Sequence, residues 1–218
     1  MELNTAEKFL LIIMHPEKSR YLIPETKINP GLFGAILMDL SLEEKIEFKD
    51  KRIIAHSSYT KISEAHNILL SKISASKKRK RIKSWITTFA WNSRKYRHMI
   101  LRDLVLKGKV RIEERSFLFI PFKSAFLIDK NIRKQIQNEI SDVLLNKKPP
   151  EDDIACLLGI IDGCKAYKLI TKDKESLKTI KHNIKEMVQN DSVSKEVQKV
   201  IQEMQAASIA VTTAATSG

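Results

Sequence analysis

Residues 29–40, NPGLFGAILMDL, decide the fold class. A stretch apolar on every side of a helix belongs in a core rather than on a surface. Asn29-Pro30 reads as a helix restart, with proline in the first turn, where its missing N–H costs little. Upstream, Asn4 reads as an N-cap with Glu7 in the capping-box position. The apolar run Phe9 to Met14 that follows predicts a second deeply buried helix, and Tyr21-Leu22-Ile23 a short strand before Pro24.

Downstream, KIEFK (45–49) and RIIAH (52–56) alternate apolar and polar residues across Asp50-Lys51, which predicts a β-hairpin. Helices are expected at Ile62 to Ile73 and Ile82 to Ala90. Another is capped by Ser93 and stopped by Gly108 as a C′ glycine. SASKKRKR (74–81) reads as a linker or an exposed helix start. VRIEE (110–114) and FLFIPF (117–122) predict a second hairpin, with Arg115-Ser116 near its turn. Four helices follow: Asn131 to Leu145, Asp152 to Ile170, Lys174 to Gln189, and Ser194 to about Thr213. The expected fold class is mostly α, a single globular helical domain over residues 1–218 with small peripheral β-hairpins.

The 218 residues carry 39 Lys plus Arg against 26 Asp plus Glu, a net charge of +13. Hydrophobic residues at 43% exclude a disordered chain, and 6 Gly with 6 Pro exclude collagen-like and low-complexity classes. Two cysteines, Cys156 and Cys164, cannot build a disulfide framework and read as small buried hydrophobes in a reducing compartment. No apolar run approaches the roughly 20 residues of a spanning helix, and no secretory signal is expected. The expected location is the cytoplasm, and a pI near 9.7 points to an anionic partner.

The positive charge is concentrated. Between Glu64 and Asp103 there is no acidic residue, while Lys72, Lys77, Lys78, Arg79, Lys80, Arg81, Lys83, Arg94, Lys95, Arg97 and Arg102 supply eleven cations. Arg94 and Arg97, three apart, share one face of a helix near its N-terminus. Guanidinium forks donate paired hydrogen bonds to phosphate, and the helix start adds a positive dipole end. Lys95 and His98 stand at the margin, and the Lys77–Lys83 run supplies a supporting basic surface.

Chemistry is otherwise sparse. The five histidines are His15, His56, His66, His98 and His182, and none has metal-ligand spacing to another or to a cysteine. No phosphate-binding glycine loop, nucleophile elbow or nucleophile–base pair is visible, so neither an enzyme, a metal site nor a cofactor is expected. The acidic trio Glu151, Asp152 and Asp153 is explained by its place at a helix start. One apolar feature remains. Half of the chain's 8 Phe lie between Phe117 and Phe126, and Phe117, Leu118, Phe119 and Ile120 are continuous. Such a strand is either buried on both sides or presents one face to a lipid or partner surface.

Taken in order, LNTAEKFLLIIM, NPGLFGAILMDLSLEEKIEF, RHMILRDLVLKGKV, the aromatic hairpin and DDIACLLGIIDGCKAYKLI resemble the Golgi phosphoprotein 3 family over nearly the whole chain. The alanine-rich C-terminus is also similar to that family's. The resemblance implies a mostly helical, non-catalytic domain that binds membranes peripherally and recruits client proteins. Its eukaryotic members recognise phosphatidylinositol 4-phosphate and help retain Golgi glycosyltransferases. Two headgroup arginines of the family match Arg94 and Arg97, whereas a third falls on Phe33 and the pocket tryptophan falls near Pro24. The family's apolar hairpin, used for membrane insertion and oligomer contact, matches Phe117 to Ile120. The short chain, lacking the N-terminal basic tail, looks like a bacterial member.

These readings converge on a peripheral protein that binds anionic lipid headgroups, with protein clients and a homo-oligomer through the hairpin as further expectations. The alternative is a winged-helix-like nucleic-acid binder, in which Ser93 to Lys107 is the recognition helix and the second hairpin the wing. The apolar FLFIPF argues against it, because a wing offers polar groups to phosphates and base edges. Nucleic acid is therefore not the expected partner.

Overall fold

The computed structural model describes residues 2–78, 80–90, 92–117, 119–146 and 148–189. Among them are eight α-helices and two antiparallel hairpins. The helix expected from Ser194 to about Thr213 lies outside the described residues.

Helix α1 (Thr5–Ile13) is buried along its whole length. Both halves of the capping box form: the Asn4 side chain accepts from the Glu7 backbone N–H at 2.9 Å, and Glu7 accepts from Asn4 N at 3.0 Å. The helix packs against α2 (Glu25–Leu42), α5 (Ser93–Leu106), α6 (Asn131–Asn146) and α7 (Asp152–Gly163). Two charged residues go into the core with it and are paired there. Lys8 reaches Asp153 at 2.6 Å and Glu139 at 3.3 Å, and Glu7 receives Lys107 at 2.7 Å. Burial alone would pull the Lys8 ammonium down, but Asp153 and Glu139 outweigh it and hold Lys8 above the ordinary lysine value.

Helix α2 starts at Glu25, with Pro24 as N-cap, so Pro30 sits inside it rather than in its first turn. The proline withholds only the one N–H that would have bonded to Thr26, and the core contacts beyond it keep the helix continuous. Gly31 follows because nothing larger fits. A Cβ there would stand 2.5 Å from Phe9 Cζ and 3.1 Å from Cys164 Sγ. Phe9 is itself fully buried and has no room to yield. Gly31→Ala is expected to lower stability by about 1–3 kcal/mol, the usual cost of overpacking. A fall in the urea midpoint at unchanged slope is the readout.

The first hairpin, β1 (Ile46–Lys49) and β2 (Arg52–Ala55), pairs Phe48 with Ile53 and turns at Asp50-Lys51. Both turn residues take positive φ, 50° and 59°, matching the twist of the strands. Ile46, Phe48 and Ile53 face the core. Instead of a strand, Tyr21 makes a single bridge to Met14. Helices α3 (Glu64–Ser74) and α4 (Ile82–Ala90) lie close to the expected bounds.

Three local readings are corrected. Ser93 is the first residue of α5 and Asn92 its N-cap, with no side-chain capping bond. The C-terminus of α5 does end at Gly108 (φ 66°), where Gly108 N bonds Val105 O and Lys109 N bonds Leu104 O. The second hairpin, β3 (Val110–Phe117) and β4 (Ile120–Leu127), runs three residues further than expected before it turns. Arg115 and Ser116 are strand residues opposite Phe122 and Pro121, and the pairing runs on to Phe117 and Ile120. Finally, α7 stops at Gly163. Lys165 takes the left-handed conformation (φ 50°), Ala166 N closes onto Ile161 O, and a 3-10 turn at Tyr167–Leu169 leads to α8 (Lys174–Gln189). Cys156 and Cys164 are buried, and burial pushes the Cys164 thiol up to about 12 and Cys156 well above its usual value.

Candidate anion-binding cleft

Arg94 and Arg97, one turn apart on α5, open onto the same cleft of ≈ 500 Å³. Its walls come from three places in the chain. Alpha-helix α5 supplies the two arginines and His98, the segment after α1 supplies Arg20 and Tyr21, and β4 supplies Lys123. No carboxylate lines it among the described residues.

The two arginines are held differently. Arg94 is exposed. The Arg97 side chain is only 12% exposed. Its Nη2 donates to Glu25 Oε1 at 2.9 Å, and its guanidinium carbon lies 5.1 Å from the centre of the Tyr21 ring. Its Nη1 is buried with no hydrogen-bond partner among the described residues. A guanidinium fixed on one edge by a carboxylate and on one face by an aromatic ring is oriented before any ligand arrives. Burial raises the Tyr21 hydroxyl above its ordinary value despite the nearby Arg97, so the ring stays neutral.

The remaining basic residues separate from this cleft. Lys95 is exposed and does not line it. Lys77, Lys78, Lys80 and Arg81 are exposed in the connection between α3 and α4. Arg81 bridges Arg52 of the first hairpin, and Lys80 stands 4.9 Å from the Trp85 ring centre. Arg79 and the Lys83 side chain lie outside the described residues. Phe33, where the resemblance places a third arginine, is fully buried and packs at a tilt against Phe89, ring centres 4.8 Å apart.

At the tip of the second hairpin Phe119 is fully exposed and takes φ 65°. The strand bodies below it are laced with charge. Arg115 pairs with Glu113 at 2.6 Å, Arg111 also pairs with Glu113, and Lys123 pairs with Glu114 at 3.6 Å. Both Arg111 and Arg115 lie over the Phe126 ring, at 4.9 and 4.8 Å. Leu118 and the side chains of Phe117 and Ile120 lie outside the described residues.

Sequence reading missed Arg20, Tyr21 and Lys123 as cleft residues, and Glu25 as the partner of Arg97, because only the fold brings them to α5. It also missed a polar trio. Ser63 Oγ lies 2.8 Å from His66 Nδ1, and His66 Nε2 lies 3.0 Å from Asp39 Oδ2. The Ser63–His66 spacing of three was a legible hint; Asp39 was not. His66 is completely buried, and Asp39 also accepts Thr5 N at 2.8 Å and Ala6 N at 3.1 Å. The trio therefore joins α3 and α2 to the start of α1, and this explains why Ser63, the N-cap of α3, makes no capping bond of its own.

Among the described residues no helix is long and apolar enough to cross a membrane. No curated protein matches the chain. The sequence model for Golgi phosphoprotein 3 (GPP34) matches residues 5–204, nearly the full length and every element described above. The chain belongs to the Golgi phosphoprotein 3 family.

Proposed function

We propose that this protein associates peripherally with membranes by taking the phosphate of an anionic lipid headgroup, of the phosphatidylinositol 4-phosphate type, into the Arg94–Arg97 cleft. The observation that carries the reading is Arg97. It is oriented by Glu25 and Tyr21 yet keeps one buried donor, Nη1, without a partner among the described residues, in a cleft walled by cations. Arg94 and Arg20 close on the phosphate from solvent, and Lys123 brings the second hairpin to the same headgroup. The Phe33 and Pro24 positions add no polar group, so recognition rests on phosphate charge more than on inositol hydroxyls. The role is binding and recruitment rather than catalysis.

The exposed Lys77–Arg81 run acts at longer range. Each Lys or Arg near an anionic leaflet contributes about 1 kcal/mol. That attraction weakens as salt shortens the screening length to about 3 Å at 1 M. Flotation with neutral, phosphatidylserine and phosphatidylinositol 4-phosphate vesicles separates the two contributions. Arg94→Ala with Arg97→Ala should lose more binding than Lys77→Ala with Lys78→Ala, on the scale of about 1.5–3 kcal/mol per charge-assisted contact. Equal losses from the two pairs would reduce the cleft to general basicity. A random duplex DNA run in parallel tests the nucleic-acid alternative; tighter, steeply salt-dependent DNA binding would replace the lipid reading.

A further inference from the structure

A larger cavity, ≈ 1090 Å³, opens between the segment before α2, the Tyr167–Leu169 turn and α8, and shares no lining residue with the arginine cleft. Its rim carries Lys27, Lys165, Lys168, Lys172, Lys181 and Lys185, and among the described residues no carboxylate lines it. Lys181 and Lys165 converge on one ring, their ammonium groups 5.0 and 5.9 Å from the centre of Tyr167. Asp162, beneath the rim, pairs with Lys165 at 3.2 Å and accepts the Tyr167 hydroxyl. So many like charges around one opening repel each other until an anion sits among them.

The floor is different in character. Leu22, Ile23, Ala166, Leu169 and Leu177 line it. Backbone acceptors here are already engaged: Leu169 O receives Gln137 Nε2 at 2.6 Å and Arg133 Nη2 at 3.3 Å, and Lys165 O receives Lys27 Nζ at 3.2 Å. A peptide would find little main-chain pairing on such a floor, whereas an alkyl body needs none. The volume is at the upper end of ligand pockets, which run roughly 300–1,000 Å³.

We propose that this cavity is a second ligand site, for a phosphorylated amphiphile whose phosphate or diphosphate lies among the rim lysines and whose apolar body lies on the leucine floor. Lysines suit this task as compact, mobile point charges that follow a phosphate without fixing its orientation. The assignment stands independently of the arginine cleft.

Calorimetric titration of the full chain with octyl phosphate below its micelle concentration, inorganic phosphate and octyl glucoside tests it. Octyl phosphate should bind at least about tenfold tighter than inorganic phosphate, and octyl glucoside should not bind measurably. Lys168→Glu with Lys181→Glu should weaken octyl phosphate by about tenfold or more, the equivalent of one lost charge-assisted contact. Arg94→Ala with Arg97→Ala should leave that affinity unchanged, which separates this site from the proposed headgroup cleft. Leu22→Ser, at a 40% exposed position, should weaken octyl phosphate but not inorganic phosphate, and it keeps the test intact should the double lysine variant lose its circular dichroism signature. Equal affinity for the two phosphates, indifference of a folded Lys168→Glu/Lys181→Glu variant, or tighter binding of an acidic Glu/Leu peptide would each overturn the proposal.

Discussion

Asp39→Ala should lower the unfolding free energy by about 3–5 kcal/mol, the scale seen when one partner of a buried, hydrogen-bonded charge is removed. Asp39 is 5% exposed, and its side chain satisfies three groups at once: Thr5 N, Ala6 N and His66 Nε2. Removing it strands two N–H groups at the start of α1 and one imidazole in an apolar core, where each unpaired polar group costs about 1–3 kcal/mol. Domains have only about 5–15 kcal/mol to lose, so the variant should unfold at markedly lower urea. Asp39→Asn keeps one acceptor oxygen and should lose less. Ser63→Ala removes the outer bond of the trio and the Ser63 contact with Asp103, and should cost about 1–2 kcal/mol. A Ser63→Ala loss as large as that of Asp39→Ala would mean that the trio, and not Asp39 alone, anchors α1.

This trio marks the limit of what periodicity tells. The apolar patterns of 9–14 and 29–40 were legible because helices buried on all sides need no polar stripe, and both helices lie in the core as expected. Gly108 was legible because a left-handed C′ residue is most easily glycine. Lys165 was not, because a lysine takes the same conformation at the end of α7 and gives no sequence signal. The hairpin turn was misplaced for a similar reason. Arg115-Ser116 looks like a turn by polarity, while Phe119 holds the positive φ that turn statistics assign to Gly or Asn. In the cleft, Arg94 and Arg97 were readable from their spacing on one helix. The groups that orient Arg97, at Tyr21 and Glu25, are more than seventy residues away and come into view only with the fold.

Phe119→Asp should abolish association with anionic vesicles while leaving the circular dichroism spectrum and urea midpoint close to those of the parent protein. Phe119 has no packing to lose, since it is fully exposed. Its left-handed φ of 65° is costly for a bulky side chain, about 1–2 kcal/mol, and Asp tolerates that region better. The substitution should therefore be neutral or slightly stabilising. An exposed aromatic in a strained conformation at a turn is a poor choice for stability, which directs attention to what the ring does outside the fold. Burying one such side chain in the acyl boundary contributes about 1.5–3 kcal/mol, on top of the electrostatic attraction. The ion pairs of Arg111, Glu113, Glu114, Arg115 and Lys123 would stay in the headgroup layer beneath the tip. Phe119→Gly should relieve the same strain and also lose the membrane contact, so both variants should lose vesicles with no loss of stability. Sedimentation at matched concentrations decides between the two surfaces available to the ring. Loss of self-association with vesicle binding intact would assign Phe119 to a second copy of the chain, and loss of vesicle binding from a protein of unchanged mass would assign it to lipid.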